Sequence, residues 1–369
     1  MRLLICAGGT GGGVYPALSV LQALGNRAEA ILWVGGQGGM EADLVAQYNI
    51  PYTSIPAAGV HGVGLSALPG NLIKLAKGTL QSRRILHEFQ PDVLFFTGGY
   101  VAVPMAIAGT SVNSLVYVPD IEPGLALKSI ARFSDIIALT AAESRQYFGS
   151  KKRMVVTGYP TRSDLNQWDR ESARKELLLS NDLPVLLIIG GSKGARLINQ
   201  AVLPQLPALL KKSQVVHLTG QADWQEAQNV KGLLPASMVK RYHPHPYLHQ
   251  EIGAAFACAD LVISRAGAST LGELPLFGLP AILVPYPFAW RYQKVNADYL
   301  ASHGAVEVIE NALLKEKLIP SVVRLLADQP VLAKMRESMN KLSAPYAATK
   351  IADLLVELSV KKTGEGQNK

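Results

Sequence analysis

Residues 3–12 read LLICAGGTGG, and residues 185–194 read VLLIIGGSKG. Each stretch is a short apolar run that leads directly into a glycine-rich turn, and a helical pattern follows each turn. The two stretches start 182 residues apart, about half of the 369-residue chain. This weak internal repeat predicts two doubly wound domains, each opening with its own strand, glycine turn and helix.

Apolar, β-branched runs alternate with helical patterns along the chain. Continuously apolar strands separated by helices are typical of parallel sheets that are covered on both faces, so the predicted fold class is α/β. The predicted strands are Leu3–Ala7, Ala30–Val34, Val93–Thr97, Ser114–Tyr117, Ile136–Leu139, Met154–Thr157, Val185–Ile189, Val215–Leu218, Leu261–Ser264, Ala281–Val284 and Ala305–Val308.

A cluster of turn residues marks the predicted domain boundary. Residues 158–162 read GYPTR and separate a strand from a charged, amphipathic segment. We therefore expect one domain over residues 1–159 and a second over residues 160–344. Because ligands bind beyond the carboxyl ends of the strands in open α/β sheets, the expected active site is the cleft between the two domains.

Composition excludes several classes of protein. Cys6 and Cys258 are the two cysteines of the chain, and neither lies near the other in sequence, which excludes a disulfide framework, a zinc finger and a CxxC redox site. The net charge of +8 suits a polyanionic partner, such as a nucleotide, a phosphate-bearing substrate or an anionic membrane surface. The apolar run at the start of the chain is too short for a signal-peptide core, so we expect a cytoplasmic protein.

The two glycine turns are candidate phosphate sites. Backbone N–H groups of Gly8–Gly13 could hold phosphate or sugar at the start of a helix, although the spacing matches neither GxGxxG nor a P-loop. In the second turn, Ser192 and Lys193 add a hydroxyl and a positive charge, which favours a diphosphate. The alternatives are a tight turn that needs glycine for packing and an ordinary helix start with Ser192 near the N-cap.

Two further segments carry candidate sugar ligands. Glu273 lies one turn into the helix that follows the strand Leu261–Ser264 and its turn of small residues. This position suits binding of the vicinal hydroxyls of a ribose, but Thr270-x-x-Glu273 is also a capping box. Gln293 and Asn296 lie on successive turns of the next predicted helix. Their amides can both donate to and accept from sugar hydroxyls, and exposed helix polarity is the alternative.

Residues 65–89, LSALPGNLIKLAKGTLQSRRILHEF, form a basic amphipathic segment. Lys74, Lys77, Arg83 and Arg84 are interleaved with apolar residues, against the single acid Glu88. Such a segment can lie on an anionic bilayer. A helix that packs on its own sheet and exposes a solvated basic face explains the same pattern.

The glycine turns belong to a longer series of motifs: GGTGG at 8–12, GME at 39–41, GGY at 98–100, PGL at 123–125, GYPTR at 158–162, GGSKGA at 190–195, SRAGASTLGEL at 264–274 and GLPAILVPYP at 278–287, with Gln293 and Asn296 beyond. In this series, from about Leu3 to Ala347, the chain resembles the MurG family. These are the N-acetylglucosaminyltransferases of peptidoglycan synthesis, which convert lipid I to lipid II.

The resemblance implies an inverting, two-domain GT-B glycosyltransferase with UDP-GlcNAc as donor and a lipid-linked acceptor. The domain over 1–159 would face the acceptor and the membrane and be completed by a helix at about 345–360, and the domain over 160–344 would bind the donor. No metal, cofactor or nucleic acid is expected, and the enzyme would be peripheral, at the cytoplasmic face of the cell membrane.

Site residues are also implied by the resemblance. Glu273 would hold the ribose, Gln293 and Asn296 the GlcNAc hydroxyls, and Arg162 would lie in the donor pocket. The diphosphate would be held by Ser192, Lys193, Ala268, Ser269 and Thr270. The acceptor and phosphate loops would be formed by Thr10, Gly11, Gly12, Gly13, Gly98, Gly99 and Tyr100.

Three departures from the family pattern concern acceptor-side or sugar-contacting positions. Gly13 replaces the histidine of GGTGGH, residues 118–122 (VPDIE) replace HEQN, and residues 288–292 (FAWRY) replace an acidic and histidine-containing stretch. Asp120 and Glu122 are therefore the candidate catalytic bases. The departures leave open a different lipid or polyprenyl acceptor, or a UDP-sugar binding protein that has lost catalysis; a UDP-sugar epimerase would not need the basic amphipathic segment.

Overall fold

The computed structural model describes residues 1–8, 11–39, 41–59, 68–191, 194–287 and 292–365. The chain divides into two compact units. Unit 1 comprises Met1–Arg162 and the segment that starts at Ala344, and unit 2 comprises Ser163–Ser343. The first crossing between the units thus falls at the end of the GYPTR turn.

Unit 1 is built on a parallel sheet, which has seven strands within the described residues, in the order β3-β2-β1-β4-β5-β6-β7. The strands are β1 (Arg2–Ala7), β2 (Ala30–Gly36), β3 (Tyr52–Ile55), β4 (Val93–Gly98), β5 (Asn113–Val118), β6 (Ile136–Leu139) and β7 (Arg153–Val156). The helices between them are α1 (Gly11–Leu24), α2 (Glu41–Ala46), α3 (Leu68–Phe89), α4 (Ala102–Ala108) and α5 (Leu125–Phe133), with 3₁₀ helices at Gly25–Arg27 and Ala142–Tyr147.

Unit 2 repeats this plan with a parallel sheet of six described strands, in the order β10-β9-β8-β11-β12-β13. The strands are β8 (Val185–Ile189), β9 (Gln214–Leu218), β10 (Tyr242–His245), β11 (Leu261–Ser264), β12 (Ala281–Leu283) and β13 (Val306–Val308). The helices are α6 (Arg170–Glu176), α7 (Arg196–Val202), α8 (Leu206–Leu210), α9 (Trp224–Gly232), α10 (Ala236–Val239), α11 (Ile252–Cys258), α12 (Thr270–Phe277), α13 (Tyr292–Ser302), α14 (Leu314–Ala327) and α15 (Gln329–Lys341), with 3₁₀ helices at Ser163–Gln167, Leu203–Gln205, Gln221–Asp223 and Asn311–Leu313.

The central strands are buried on both faces. Each residue from Leu3 to Ala7 in β1 is 0% exposed, and so is each residue from Val185 to Leu187 in β8. Successive side chains of a strand point to opposite faces, so both faces of each sheet are covered. The predicted α/β class, with two parallel-sheet domains, is confirmed.

Every strand predicted from the sequence is present, and β3 and β10 are the strands that the pattern missed. Both lie at an edge of their sheet. Edge strands are short and mixed in polarity, and β10 (YHPH) contains Pro244, which is tolerated at an edge because one side of such a strand needs no hydrogen-bonded partner.

A helix from the end of the chain completes unit 1. This helix, α16 (Ala347–Glu365), packs against α1, β4 and β5. Arg27 contacts Asp353 at 2.6 Å, and Arg153 forms two hydrogen bonds to Glu357, of 2.8 and 2.9 Å. No helix within the described residues is long and apolar enough to span a bilayer.

Candidate functional site

Unit 2 contains a cavity of about 810 Å³ at the carboxyl edge of its sheet. The chain runs from β8 towards β9 on one side and from β11 towards β12 on the other, so the strand order reverses between the adjacent strands β8 and β11. Open α/β sheets bind ligands at such a reversal. The cavity is lined by the turns that follow β8, β11 and β12.

The turn after β8 brings main chain to the cavity wall. Gly191 and Gly194 have φ values of +79° and +76°, a region that side chains disfavour. A Cβ atom on Gly194 would lie 2.3 Å from the carbonyl oxygen of Thr219, so another residue could not fit without a shift. Gly190, Gly191 and Gly194 line the cavity, whereas Ser192 and Lys193 lie outside the described residues.

The turn after β11 contributes three of the predicted donor residues, Ser269, Thr270 and Glu273. Ser269 is the N-cap of α12, and its side chain makes no capping hydrogen bond. The Thr270 hydroxyl donates to the carbonyl of Gly267 at 2.6 Å. Thr270 is thus the first residue of the helix, and its hydroxyl donates to Gly267 and does not accept from the helix start. Ala268 lies in the same turn.

The two amides predicted to bind sugar occupy different environments. Gln293 lines the cavity, and its Oε1 accepts from the backbone N–H of Tyr286 at 2.8 Å. Asn296 is 0% exposed, and its Nδ2 donates to the carbonyl of Ala266 at 3.1 Å. Asn296 therefore supports the turn after β11 from beneath, and its direct contact with sugar stays a prediction.

Sequence reasoning assigned no role to Arg265, which also lines the cavity. Its Nη1 donates to the Val284 carbonyl at 3.0 Å and to Oδ1 of Asn311 at 2.9 Å. The guanidinium carbon lies 5.4 Å from the centre of the Tyr286 ring. Burial lowers the pKa of Arg265 from its ordinary value, but an arginine stays charged at neutral pH, so the cavity wall carries a fixed positive charge.

Glycine turns also meet at the carboxyl edge of the unit 1 sheet. Gly98 and Gly99 have φ values of +118° and +87°, and a Cβ atom on Gly99 would lie 2.3 Å from the carbonyl oxygen of Gly8. Gly11, Gly12 and Gly13 form the first turn of α1. Thr10 lies outside the described residues. The structure thus brings two of the predicted acceptor turns into backbone contact.

Tyr100 follows these turns and is 51% exposed. It borders a small apolar recess of about 40 Å³. The other residues around this recess come from α3, α4, α5 and the segment after β3: Ala58, Leu75, Val103, Leu125, Ala126 and Ser129.

The two candidate bases follow β5 and differ in exposure. Glu122 is 5% exposed, and its Oε1 lies 3.7 Å from the Lys128 ammonium. Asp120 is half-buried. Burial raises the pKa of the neighbouring Tyr117, and the charge of Asp120 adds a smaller increase.

Arg162, predicted to lie in the donor pocket, belongs to unit 1. Its guanidinium carbon lies 5.9 Å from the centre of the Tyr15 ring on α1. The structure therefore places it against the helix that follows the first glycine turn.

The outer face of α3 combines positive charge with exposed apolar side chains. Lys74, Lys77, Arg83 and Arg84 are exposed. Leu72, Ile73 and Leu80 on the same helix are 50%, 56% and 64% exposed. We call these seven residues the α3 face. Basic and exposed aliphatic side chains on one helix are typical of a helix that lies on an anionic bilayer, and membrane binding by this face stays a prediction.

Comparison with known proteins defines the class first. The model of the glycosyltransferase family 28 N-terminal domain matches residues 3–138, and that of the family 28 C-terminal domain matches residues 185–353. These matches, together with the two parallel sheets and the cavity, define a two-domain GT-B glycosyltransferase.

Full-length relatives define the family. A UDP-N-acetylglucosamine--N-acetylmuramyl-(pentapeptide) pyrophosphoryl-undecaprenol N-acetylglucosamine transferase from Roseiflexus sp. (strain RS-1) is 38% identical, over 98% of this chain and 96% of the relative. The enzyme of the same name from Desulforudis audaxviator is 37% identical, over 98% and 100%. The crystal structure of Acinetobacter baumannii MurG matches with a TM-score of 0.79 and 26% identity, over 96% of this chain and 99% of that one. The chain belongs to the MurG family of N-acetylglucosaminyltransferases.

Proposed function

We propose that this chain transfers N-acetylglucosamine from UDP-GlcNAc to N-acetylmuramyl-(pentapeptide) pyrophosphoryl-undecaprenol, as the names of its relatives state for them. The observation that carries the proposal is the cavity of unit 2. It places a main-chain glycine turn, a carboxylate and an amide around one space of about 810 Å³, which is of the size that small-molecule sites have.

The donor is held by groups of matching chemistry. The start of α12 and the glycines Gly190, Gly191 and Gly194 line the cavity, and helix starts and exposed backbone N–H groups favour the diphosphate. The carboxylate of Glu273 binds the ribose hydroxyls, since charged acceptors form strong hydrogen bonds. Gln293 binds the sugar, and the positive charge of Arg265 favours the departing UDP.

Transfer with inversion joins the acceptor hydroxyl to the anomeric carbon of GlcNAc while the bond from that carbon to UDP breaks on the opposite face. A base must accept the proton of the acceptor hydroxyl. We assign this role to Asp120. Glu122 is the weaker candidate because its carboxylate is almost fully buried beside Lys128.

The acceptor carries a polyprenyl chain, so the enzyme must work at a membrane surface. We assign peripheral docking on the anionic cytoplasmic leaflet to the α3 face. Its four basic side chains attract the lipid head groups, and its exposed aliphatic side chains enter the outer part of the bilayer. The recess beside Tyr100 continues the apolar surface from α3 towards α5.

A second acceptor is favoured by a specific observation: Gly13 and residues 118–122 differ from the family pattern on the acceptor side. UDP release is therefore measured with UDP-GlcNAc, UDP-glucose and UDP-galactose, each against lipid I and a panel of other polyprenyl and glycerolipid acceptors. Turnover that requires both UDP-GlcNAc and lipid I supports the proposal. Turnover with another lipid replaces the acceptor, and UDP binding without turnover on any acceptor contradicts an enzymatic role.

A further inference from the structure

A hydrogen-bonded network of buried polar side chains lies behind the glycine turn of unit 2. It consists of Asn199 on α7, His217 on β9, Asp223 in the following 3₁₀ helix and Tyr242 on β10, each at most 8% exposed. The Asn199 Nδ2 donates to the Thr219 carbonyl at 2.8 Å and to Oδ2 of Asp223 at 2.7 Å. His217 lies between the Asn199 Oδ1, at 2.9 Å from Nε2, and the Tyr242 hydroxyl, at 3.0 Å from Nδ1.

The Thr219 carbonyl and the Asp223 carboxylate determine which atom is the donor in each hydrogen bond of this network. A carbonyl and a carboxylate accept hydrogen bonds, so Asn199 must turn its amide nitrogen towards Thr219 and Asp223 and its oxygen towards His217. The Nε2 of His217 is then the protonated ring nitrogen, and Nδ1 accepts from the Tyr242 hydroxyl. Flipping the Asn199 amide would place its oxygen against two acceptors.

The network ends at the Thr219 carbonyl, which lies against the glycine turn. The carbonyl oxygen that Asn199 holds is the Thr219 oxygen, which lies 2.3 Å from the place of a Cβ on Gly194. Gly194 in turn donates its N–H to the Gly191 carbonyl at 3.0 Å. A displacement of the Thr219 carbonyl therefore moves the backbone that lines the cavity.

We propose that Asn199 is a positioning residue for the donor diphosphate, acting through the Thr219 carbonyl and the backbone of Gly191 and Gly194. The proposal rests on the donor site proposed above. The Asn199 amide forms hydrogen bonds to Thr219, Asp223 and His217, so it does not bind the donor directly. It fixes the position of the Thr219 carbonyl against the turn. The affinity for the donor thus depends on a side chain that does not line the cavity. The network residues on β9 and β10 do not line the cavity either.

Asn199→Asp tests this relationship with the smallest change of shape. The new carboxylate faces the Thr219 carbonyl and Asp223, so two attractions become repulsions. We expect the affinity for UDP, measured by calorimetry, to fall about tenfold or more, since buried polar groups lose their partners. With UDP-GlcNAc as substrate, the KM for the donor should rise while the KM for the lipid acceptor stays unchanged. In the double variant Asn199→Asp with Asp223→Asn, the new amide at residue 223 donates a hydrogen bond to the carboxylate at residue 199. This variant should recover part of the affinity for UDP.

Gln214 provides a matched control at the opposite end of β9. It is 1% exposed, and its amide holds Ser180 through bonds of 2.7 and 3.0 Å. Gln214→Glu should lower the melting temperature without weakening UDP binding. Equal UDP affinity of folded Asn199→Asp and the parent protein overturns the proposal, and so does an equal loss in Gln214→Glu. Asn199→Ala, which adds no charge, gives the same readout if the aspartate variant does not fold. A parent protein that binds no UDP contradicts the donor site itself.

Discussion

The hydroxyl of Thr97 donates to the carbonyl oxygen of Gly13 at 2.7 Å, in a buried junction between β4 and α1. A Cβ atom on Gly13 would lie 3.2 Å from the Thr97 carbonyl oxygen and 3.4 Å from its hydroxyl. The strand end and the first turn of the helix therefore leave little room for a Cβ at residue 13, the position where the resemblance to the MurG family implies a histidine.

Gly13→His is expected to have two opposite effects. It should lower the free energy of unfolding by about 1–3 kcal/mol, because the new Cβ displaces Thr97 in a packed junction. It should also raise turnover with lipid I, because it returns an imidazole to the acceptor side. Gly13→Ala is the control, since it adds the same Cβ without the ring. Histidine turnover no better than that of the alanine variant would favour a different acceptor.

Glu273→Ala should weaken UDP binding by about 1–3 kcal/mol, because a charged partner of the ribose is lost. The measurement is calorimetry with UDP on the folded variant. Glu316 also lies in the first turn of a helix, α14, and is exposed outside the cavity, so Glu316→Ala should leave UDP binding unchanged. Unchanged affinity in Glu273→Ala would leave this carboxylate without a role in donor binding.

The central strands could be predicted from the sequence because each is a continuous apolar run. The edge strand β10 could not, because two histidines and a proline interrupt its pattern. The glycine turns were equally visible, since each breaks the pattern between a strand and a helix.

Contacts between distant positions were not visible. Asn199 reads as an ordinary polar residue of a helix, and its burial depends on His217, 18 positions further on. The position of the Arg265 side chain depends on its hydrogen bond to Asn311, 46 positions away. Asn296 shows the converse: exposed helix polarity was the alternative to a sugar ligand at this position, and burial of Asn296 to 0% exposure excludes that alternative.

His217 should make stability depend on pH. Burial lowers its pKa from 6.5 to about 3, so the unfolded chain binds a proton between these values while the folded chain does not. The stability is fully present above pH 6.5 and falls as the pH drops, by about 2 kcal/mol between pH 7 and pH 5. In urea unfolding, the loss of stability from pH 7 to pH 5 should be smaller in His217→Gln than in the parent protein, by about 2 kcal/mol. Equal drops in both proteins would contradict a neutral, buried imidazole.

Membrane binding should be salt-sensitive and reside on the α3 face. Replacing Lys74, Lys77, Arg83 and Arg84 by glutamine should release the protein from anionic vesicles without altering UDP affinity. Sedimentation with vesicles measures the bound fraction. The control removes four exposed lysines of unit 2 (Lys211, Lys212, Lys315 and Lys317), so that the change in net charge is identical. Equal release by both variants would show that net charge, and not this face, determines binding.

Turnover should depend on Asp120 far more than on Glu122. Asp120→Asn is expected to lower kcat by roughly 10²–10⁴ with UDP-GlcNAc affinity nearly unchanged, which is the usual effect of losing a positioned proton acceptor. Glu122→Gln should lower kcat less and stability more, because Glu122 is 5% exposed and loses its attraction to Lys128 at 3.7 Å. The two variants differ from the parent by one amide each and lie two residues apart, so they are matched in position and charge. A kcat unchanged in Asp120→Asn would remove it as the base, and a larger loss in a stably folded Glu122→Gln would transfer the role to Glu122.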